Sequence, residues 1–479
     1  MYMLINGEKR ESRSGETMDV MNPATGELLD TVPAATRMDV EEAIAAGVKG
    51  QKEWAAYSIH QRGEILKKFG AKLMEEETRE ELALLLSKET GKVYEQAYQE
   101  IGKVHVLLEG FIEKSRHLYD SIIPAGAEAG QENTVQMVVR EPLGVIACIV
   151  PFNFPVGLFG QKVPPALVAG NAALVKPATD TPLATLRICE LIQEAGVPKG
   201  VIQVLTGSGA KIGDWMVDSP DIALISLTGS TEVGIHIAER AAKNLTPCTL
   251  ELGGNDAFIL MADGDIDLAV RETLTARMRN AGQICCASKR FFVQKSVAKP
   301  FIEKLAAEIK KLPVGNPLDS NTKIGCLINE KAAKAVEQQV NDTVAQGAKI
   351  YLGGKRHGAF FEPTILTEVT GKMEIAKDLE VFGPVVPVIE FETLEEAVEM
   401  ANNSIYGLSS AIITSDMKTA AYAGRHLDAG GVVLNGGSDF RALETPFGGH
   451  KMSGLGNEGI MSTLEEFTQI KTIVLKNIF

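Results

Sequence analysis

Apolar positions along the chain change period near residue 120, and the change divides it. Residues 4–35 read as short strands and turns, punctuated by Asn22-Pro23 and Thr25-Gly26. From Asp39 onwards apolar residues recur every three or four positions, which predicts amphipathic helices. The first starts at a capping box formed by Asp39 and Glu42 and runs to about residue 57. The next covers about 61–88 and stops before Gly91, and a third covers about 94–119. Residues 120–141 alternate, as in Val135-Gln-Met-Val-Val139, and predict a projecting hairpin. From Gly144 short apolar runs alternate with helical segments: strands at 144–150, 172–176, 201–205 and 222–227, helices at 156–169 and 183–194. Such runs, too apolar for a half-exposed sheet, imply parallel strands covered on both faces. A further α/β region spans about 253–450, with strands near 291–293, 348–352, 385–391, 409–413 and 432–434. Residues 469–476 alternate like an edge strand, and there is no internal repeat.

At 479 residues the chain is long enough for two or three domains. A formal net charge of −14 argues against a nucleic-acid surface or an anionic membrane, though it leaves room for a local cationic pocket. The most apolar stretch, 144–160, is broken by Pro151, Asn153 and Pro155, so no transmembrane helix is expected, and the N-terminus has no signal-peptide pattern. Six cysteines without a C-x-x-C pair or a histidine cluster point to a reducing compartment, the cytosol by default, and no structural zinc.

Several segments carry residues suited to chemistry. In Asn280-Ala-Gly-Gln-Ile-Cys-Cys-Ala-Ser288 a cysteine could act as a nucleophile if a neighbour favours its thiolate, although a vicinal pair could equally be buried core. Glu251, in Glu251-Leu-Gly-Gly254, lies 34 positions earlier, a separation that sequence alone does not convert into distance. In Leu227-Thr-Gly-Ser-Thr-Glu-Val-Gly234, Gly229 lets a ligand approach the backbone, and Ser230 opens a helix whose free amides could hold a pyrophosphate; a plain strand–helix turn reads the same. Lys176 ends an earlier strand, where it could reach a ribose hydroxyl or phosphate or simply be solvated. Asn153, in Pro151-Phe-Asn-Phe-Pro155, could donate to a developing oxyanion or satisfy its own turn.

Taken together, Glu-Leu-Gly-Gly, Gly-Gln-x-Cys, Pro-Phe-Asn-Phe-Pro, Glu380-Val-Phe-Gly-Pro-Val385 and Pro446-Phe-Gly-Gly-His-Lys-Met-Ser-Gly-Leu-Gly-Asn-Glu458 resemble the aldehyde dehydrogenases, from about residue 5 to the C-terminus. The resemblance implies an α/β fold: a Rossmann-like parallel cofactor domain (1–119 and 142–252), an α/β catalytic domain (253–450) and a β-flap for oligomerisation (120–141 and 451–479). It implies Cys285 as nucleophile, Glu251 as general base, and Asn153 with the Cys285 backbone N–H as oxyanion hole. Glu458 matches a second carboxylate that relays protons or serves a salt bridge. Lys176, Thr179, Gly229, Ser230, Glu380 and Phe382 fall on the nicotinamide-dinucleotide site. Thr179 stands where NAD-preferring relatives commonly carry a glutamate, which implies that NADP is preferred and NAD usable, with Lys211 as a weaker helper and Asp180 opposing. Arg279 matches a carboxylate-binding arginine of succinate-semialdehyde dehydrogenases, while Gln161 replaces their second arginine. Arg441, in Asp439-Phe-Arg441, resembles the lactaldehyde, non-phosphorylating glyceraldehyde-3-phosphate and phosphonoacetaldehyde branch. The expected substrate is therefore a short polar or anionic aldehyde, and the expected assembly a homodimer or homotetramer. Three alternatives remain at this level. They are a coenzyme-A-acylating relative, which generally lacks the glutamate, a catalytically silent cofactor-binding structural protein, and a thiol hydrolase, for which none of the seven histidines is placed by a motif.

Overall fold

The computed structural model describes residues 1–118 and 120–477. The third predicted helix, expected to reach 119, ends at Ser115; residue 119 itself and the last two residues of the C-terminal segment lie outside the described residues. Two large sheets organise the molecule. The first has eight strands in the order Glu8–Arg10, Met3–Ile5, Ile202–Val204, Ala172–Lys176, Val145–Ile149, Ile222–Thr228, Cys248–Glu251 and Gly454–Leu455. Its five central strands are parallel. The chain leaves Val145–Ile149 outward in one direction and returns to its other side at Ile222–Thr228. That reversal makes a crevice beyond the carboxyl ends of these two strands, the place where open α/β sheets bind ligands.

The second sheet has seven strands, ordered Lys349–Leu352, Thr364–Val369, Val385–Phe391, Ser288–Gln294, Asp256–Leu260, Ser409–Ile413 and Gly431–Leu434. All its pairings are parallel except that of the outermost Lys349–Leu352. The first sheet has an apolar core on each face and the second sheet has its own, and a small fourth cluster at the seam joins Ile284, Cys286, Ala287 and Leu408 to Phe154 and Phe447. Buried polar groups are answered locally. Trp54 donates its indole N–H to the Leu167 carbonyl at 2.7 Å. The fully buried Arg277 donates to the carbonyls of Val385 (2.7 Å) and Val381 (2.8 Å), tying the helix Ile266–Met278 to the loop that carries Glu380 and Phe382.

Two local expectations are corrected. The capping box belongs to Thr36 and Asp39, three residues earlier than expected: Asp39 is fully packed and accepts the Thr36 N–H at 2.8 Å. The long second helix is two, Ile59–Leu73 and Glu76–Thr90, because Glu75 takes an extended backbone (ψ 131°) between them. The predicted hairpin is present as Ile122–Ile123 and Thr134–Pro142, and Thr468–Lys476 pairs along the whole of the latter strand. Residues 460–467 pack instead into the core of the first sheet, through Ile460, Leu464 and Phe467.

Candidate active site

Every strand of the first sheet that feeds the crevice ends in one of the residues singled out above. Pro151–Asn153 follows Val145–Ile149, Gly229 and Ser230 follow Ile222–Thr228, Lys176 closes its strand, and Glu251 closes Cys248–Glu251. The opposing side comes from the second unit. After Met278 the chain passes through three left-handed residues, Asn280, Ala281 and Gly282 (φ 50°, 51° and 77°). A Cβ on Gly282 would lie 2.3 Å from the Gly383 carbonyl oxygen, so only glycine lets this loop seat against the 382–384 segment. The turn delivers Cys285, half-buried, into a cavity of about 240 Å³ that Glu251, Gln161, Arg279, Arg441 and Lys103 also line. Cys286 packs into the seam cluster, and its carbonyl accepts the Ser438 hydroxyl at 2.9 Å.

The electrostatics of this cavity turn on two carboxylates. Glu458 bonds Lys162 at 2.8 Å and Arg441 at 3.1 Å. Burial alone would raise it, but the two cations outweigh burial and hold it below the usual glutamate range. Glu251 has no such partner among the described residues, and its Oε1 is buried without a hydrogen bond to any of them. Burial first, then the neighbouring Glu458 and Cys285, push its carboxyl well above the usual range. Adjacent acids in unlike surroundings are thus pushed apart, Glu458 down and Glu251 up. The Cys285 thiol is also raised, by contact with the Cys286 side chain and then by burial, against the pull of Lys289.

Asn153 is buried and satisfied. Its Nδ2 donates to the Gln283 carbonyl at 3.0 Å, which commits one of two amide hydrogens and leaves the other for a ligand. Its own carbonyl accepts Lys92 Nζ and Asn280 Nδ2, both at 2.9 Å. Glu380 receives the Gly254 N–H and pairs with Lys289, each at 3.2 Å. Phe382 meets Phe152 edge-on, with centroids 5.9 Å apart. The donor set at the crevice suits a dinucleotide. Ser230 caps the helix Thr231–Ala241, and burial pulls the Lys176 ammonium down to about 8 while it donates to the Pro177 carbonyl. Thr179 bonds the Gly207 carbonyl at 3.3 Å, and the next residue, Ser208, lines a cavity with Lys211 and Arg37. Asp180 accepts from Asn329 at 3.0 Å, and its charge opposes the effect of burial on Lys176.

Both arginines expected to meet a substrate anion are already paired, Arg279 with Asp439 (3.4 Å) and Arg441 with Glu458. Gln161 presents a buried Oε1 that no group among the described residues satisfies. Sequence reasoning missed Lys103, Lys162 and Lys289. Lys103 projects from the helix Tyr94–Ser115 on the face shared by Gln96, Gln99 and Glu100, a polar stripe that could have been noticed. Lys162 was the more visible signal, a lysine beside Gln161 in a helix that is otherwise apolar and almost wholly buried. Among the described residues no cluster of histidine, cysteine and acidic side chains could hold a metal, and no helix is long and apolar enough to cross a membrane.

Among the described residues, a cysteine and a glutamate without a hydrogen-bonded cation line one cavity, and comparison with known proteins shows the family. The Aldehyde dehydrogenase family profile matches residues 10–473. A 3-sulfolactaldehyde dehydrogenase of Priestia aryabhattai is 38% identical over 473 residues, covering 99% of this chain and 97% of its own. The NADP(+) succinate-semialdehyde dehydrogenase of Escherichia coli K12 is 38% identical, covering 98% and 96%. The crystal structure of a succinate-semialdehyde dehydrogenase from Burkholderia pseudomallei superposes with a TM-score of 0.96 at 37% identity, over 99% of this chain and 98% of that one. The chain belongs to the aldehyde dehydrogenase family. It is an NAD(P)-dependent oxidoreductase acting on aldehydes.

Proposed function

We propose that this enzyme oxidises a short aldehyde bearing a terminal anion to the carboxylic acid, with Cys285 as nucleophile, Glu251 as base and Asn153 as oxyanion donor. One observation carries the reading: Cys285 and Glu251 share a small cavity whose wall holds three cations, Lys103, Arg279 and Arg441. The Cys285 sulfur, its proton released to solvent, forms a bond to the aldehyde carbon, and the second Asn153 amide hydrogen and the Cys285 backbone N–H meet the oxyanion. The bound nicotinamide supplies the hydride acceptor, which leaves the acyl group on Cys285 as a thioester. Glu251 then takes a proton from water, whose oxygen attacks the acyl carbon, and the C–S bond breaks. An uncompensated glutamate beside the thiol favours water over coenzyme A as acyl acceptor. Glu458, held by Lys162 and Arg441, raises Glu251 without itself accepting the proton.

Of the three cations, Lys103 is the one without an acidic partner among the described residues. Burial and the fields of Arg441 and Arg279 pull its ammonium below the usual lysine range, so an incoming anion relieves a concentration of positive charge. The relatives named above act on aldehydes that carry a carboxylate or a sulfonate, the chemistry this wall would accept. Lys103→Met is expected to cost about 1–3 kcal/mol in kcat/KM on succinate semialdehyde, a water-screened charged hydrogen bond, and little on butanal. The wild-type preference for the anionic substrate should also fade as pH rises through the lowered lysine pKa. Equal losses on both substrates would refute an anion site at Lys103.

The crevice is read as preferring NADP, with Gly229, Ser230 and Lys176 at the phosphates and Glu380 and Phe382 at the nicotinamide end. Support comes from Thr179, whose hydroxyl bonds the Gly207 carbonyl just before Ser208, which shares a cavity with Lys211 and Arg37; Asp180 accepts from Asn329 and its charge acts on Lys176, opposing the preference. Thr179→Glu is expected to shift selectivity towards NAD by about 1–3 kcal/mol, read as the ratio of kcat/KM for the two cofactors. A wild type that ignores NADP would sink the reading.

The sheet edge Thr468–Lys476, with Ile470, Val474 and Leu475 exposed, is the surface proposed to join copies of the chain into a dimer or tetramer. All six cysteines are free, in keeping with a reducing cytosol.

A further inference from the structure

A buried ion pair lies directly behind Asn153, and the reaction does not consume it. Lys92 follows the helix Glu76–Thr90, Glu100 lies in Tyr94–Ser115, and their side chains, 0% and 3% exposed, are in contact. Two charges are costly to bury unless partners fill their remaining hydrogen-bond positions. A single segment fills them here. Lys92 Nζ donates to the Asn153 carbonyl and lies 3.9 Å from the centre of the Phe154 ring. Glu100 Oε1 accepts the amides of Val156 (3.1 Å) and Gly157 (2.8 Å), which open the helix Pro155–Ala169 and have no acceptor within it. Although Glu100 forms part of the cavity wall, Oε1 is taken by these amides and Oε2 by Lys92.

The same helix turn also reaches the nucleophile loop. Gln96 Oε1 accepts the N–H of Asn280 at 3.0 Å, and Asn280 Nδ2 donates to the Asn153 carbonyl that Lys92 holds. Asn280 is left-handed (φ 50°), a conformation that needs such support. The loop bearing Asn153 and the loop bearing Cys285 are thus fastened to one place.

We infer that Lys92 and Glu100 are positioning residues: they fix the Asn153 peptide so that its side-chain amide faces the Cys285 loop. This rests on Asn153 being the oxyanion donor. A pair with only a structural role would lower stability alone, whereas a pair acting through Asn153 slows the step in which the oxyanion forms.

The test is the paired replacement Lys92→Met with Glu100→Gln, which leaves no buried charge alone, made in the wild type and in Asn153→Ala. The burst of reduced cofactor at saturating aldehyde reports oxidation. In the wild type the pair is expected to slow that burst about 10–100-fold, the scale of a misplaced catalytic group, with aldehyde KM and cofactor affinity within about threefold. In the Asn153→Ala background it is expected to cost less than about twofold, because the group through which it acts is gone. Glu100→Gln alone keeps an acceptor for the two amides and should give the same pattern at smaller amplitude, so the test survives if the paired variant does not fold. An equal loss in both backgrounds, or no loss in the wild type, would overturn the inference. If Asn153→Ala itself leaves the burst unchanged, the oxyanion reading fails, and that outcome is visible separately.

Discussion

Cys285→Ala is expected to lower aldehyde oxidation by roughly 10⁴-fold or more while leaving cofactor affinity unchanged, because the covalent route is lost and the crevice is untouched. Cys286→Ala should remain active. Its side chain packs among Ile284, Ala287, Leu408 and Phe447, while Cys285 is the half-buried thiol of the two. The second variant carries a further expectation. Contact with Cys286 is the largest influence raising the Cys285 thiol, so removing it should move Cys285 alkylation to lower pH. Turnover with both cofactors, together with the pH profile of iodoacetamide inactivation, checks the set. A dead Cys286→Ala beside a live Cys285→Ala would reverse the assignment.

The elements most legible in the sequence are those buried on both faces. The strands Val385–Phe391 and Ser409–Ile413 and the helix Leu183–Glu194 have the limits read from composition, since an apolar run flanked by polar residues has one way to sit in a covered sheet. The break between Leu73 and Glu76 was hidden because neither glycine nor proline marks it. The motifs singled out Cys285, Glu251, Asn153 and Glu380, and the structure brings Cys285 and Glu251 to one cavity. Charge compensation was not legible. Lys162 and Glu458 are 296 positions apart, and Arg279 meets Asp439 only because Gly437 and Ser438 bring that loop over the cavity. A cation in a sequence announces itself; its partner does not. That is why two arginines looked available for a substrate anion, while of the three cations an overlooked lysine is the one without an acidic partner among the described residues.

Glu251→Gln is expected to separate the two halves of the reaction. Without a base for water, acyl-enzyme should accumulate, giving a burst of about one reduced cofactor per active site and then a steady state slowed roughly 10²–10⁴-fold. The pH dependence follows from the neighbours. Burial and the Glu458 charge raise Glu251, so in the wild type the base form, and with it deacylation, should grow as pH rises through that elevated pKa. The amide that replaces the carboxyl cannot titrate, so that limb should vanish in the variant while the pH dependence of acylation, set by the raised Cys285 thiol, persists. Glu458→Gln offers the complementary shift. It removes the negative neighbour and frees Lys162 and Arg441 to act on Glu251, so the deacylation limb should move to lower pH. Rapid-mix measurement of the burst and the following steady rate, from mildly acidic to alkaline pH, gives both quantities. A Glu251→Gln enzyme that slows without a burst would place Glu251 before the thioester rather than after it, as the acceptor of the Cys285 proton alone.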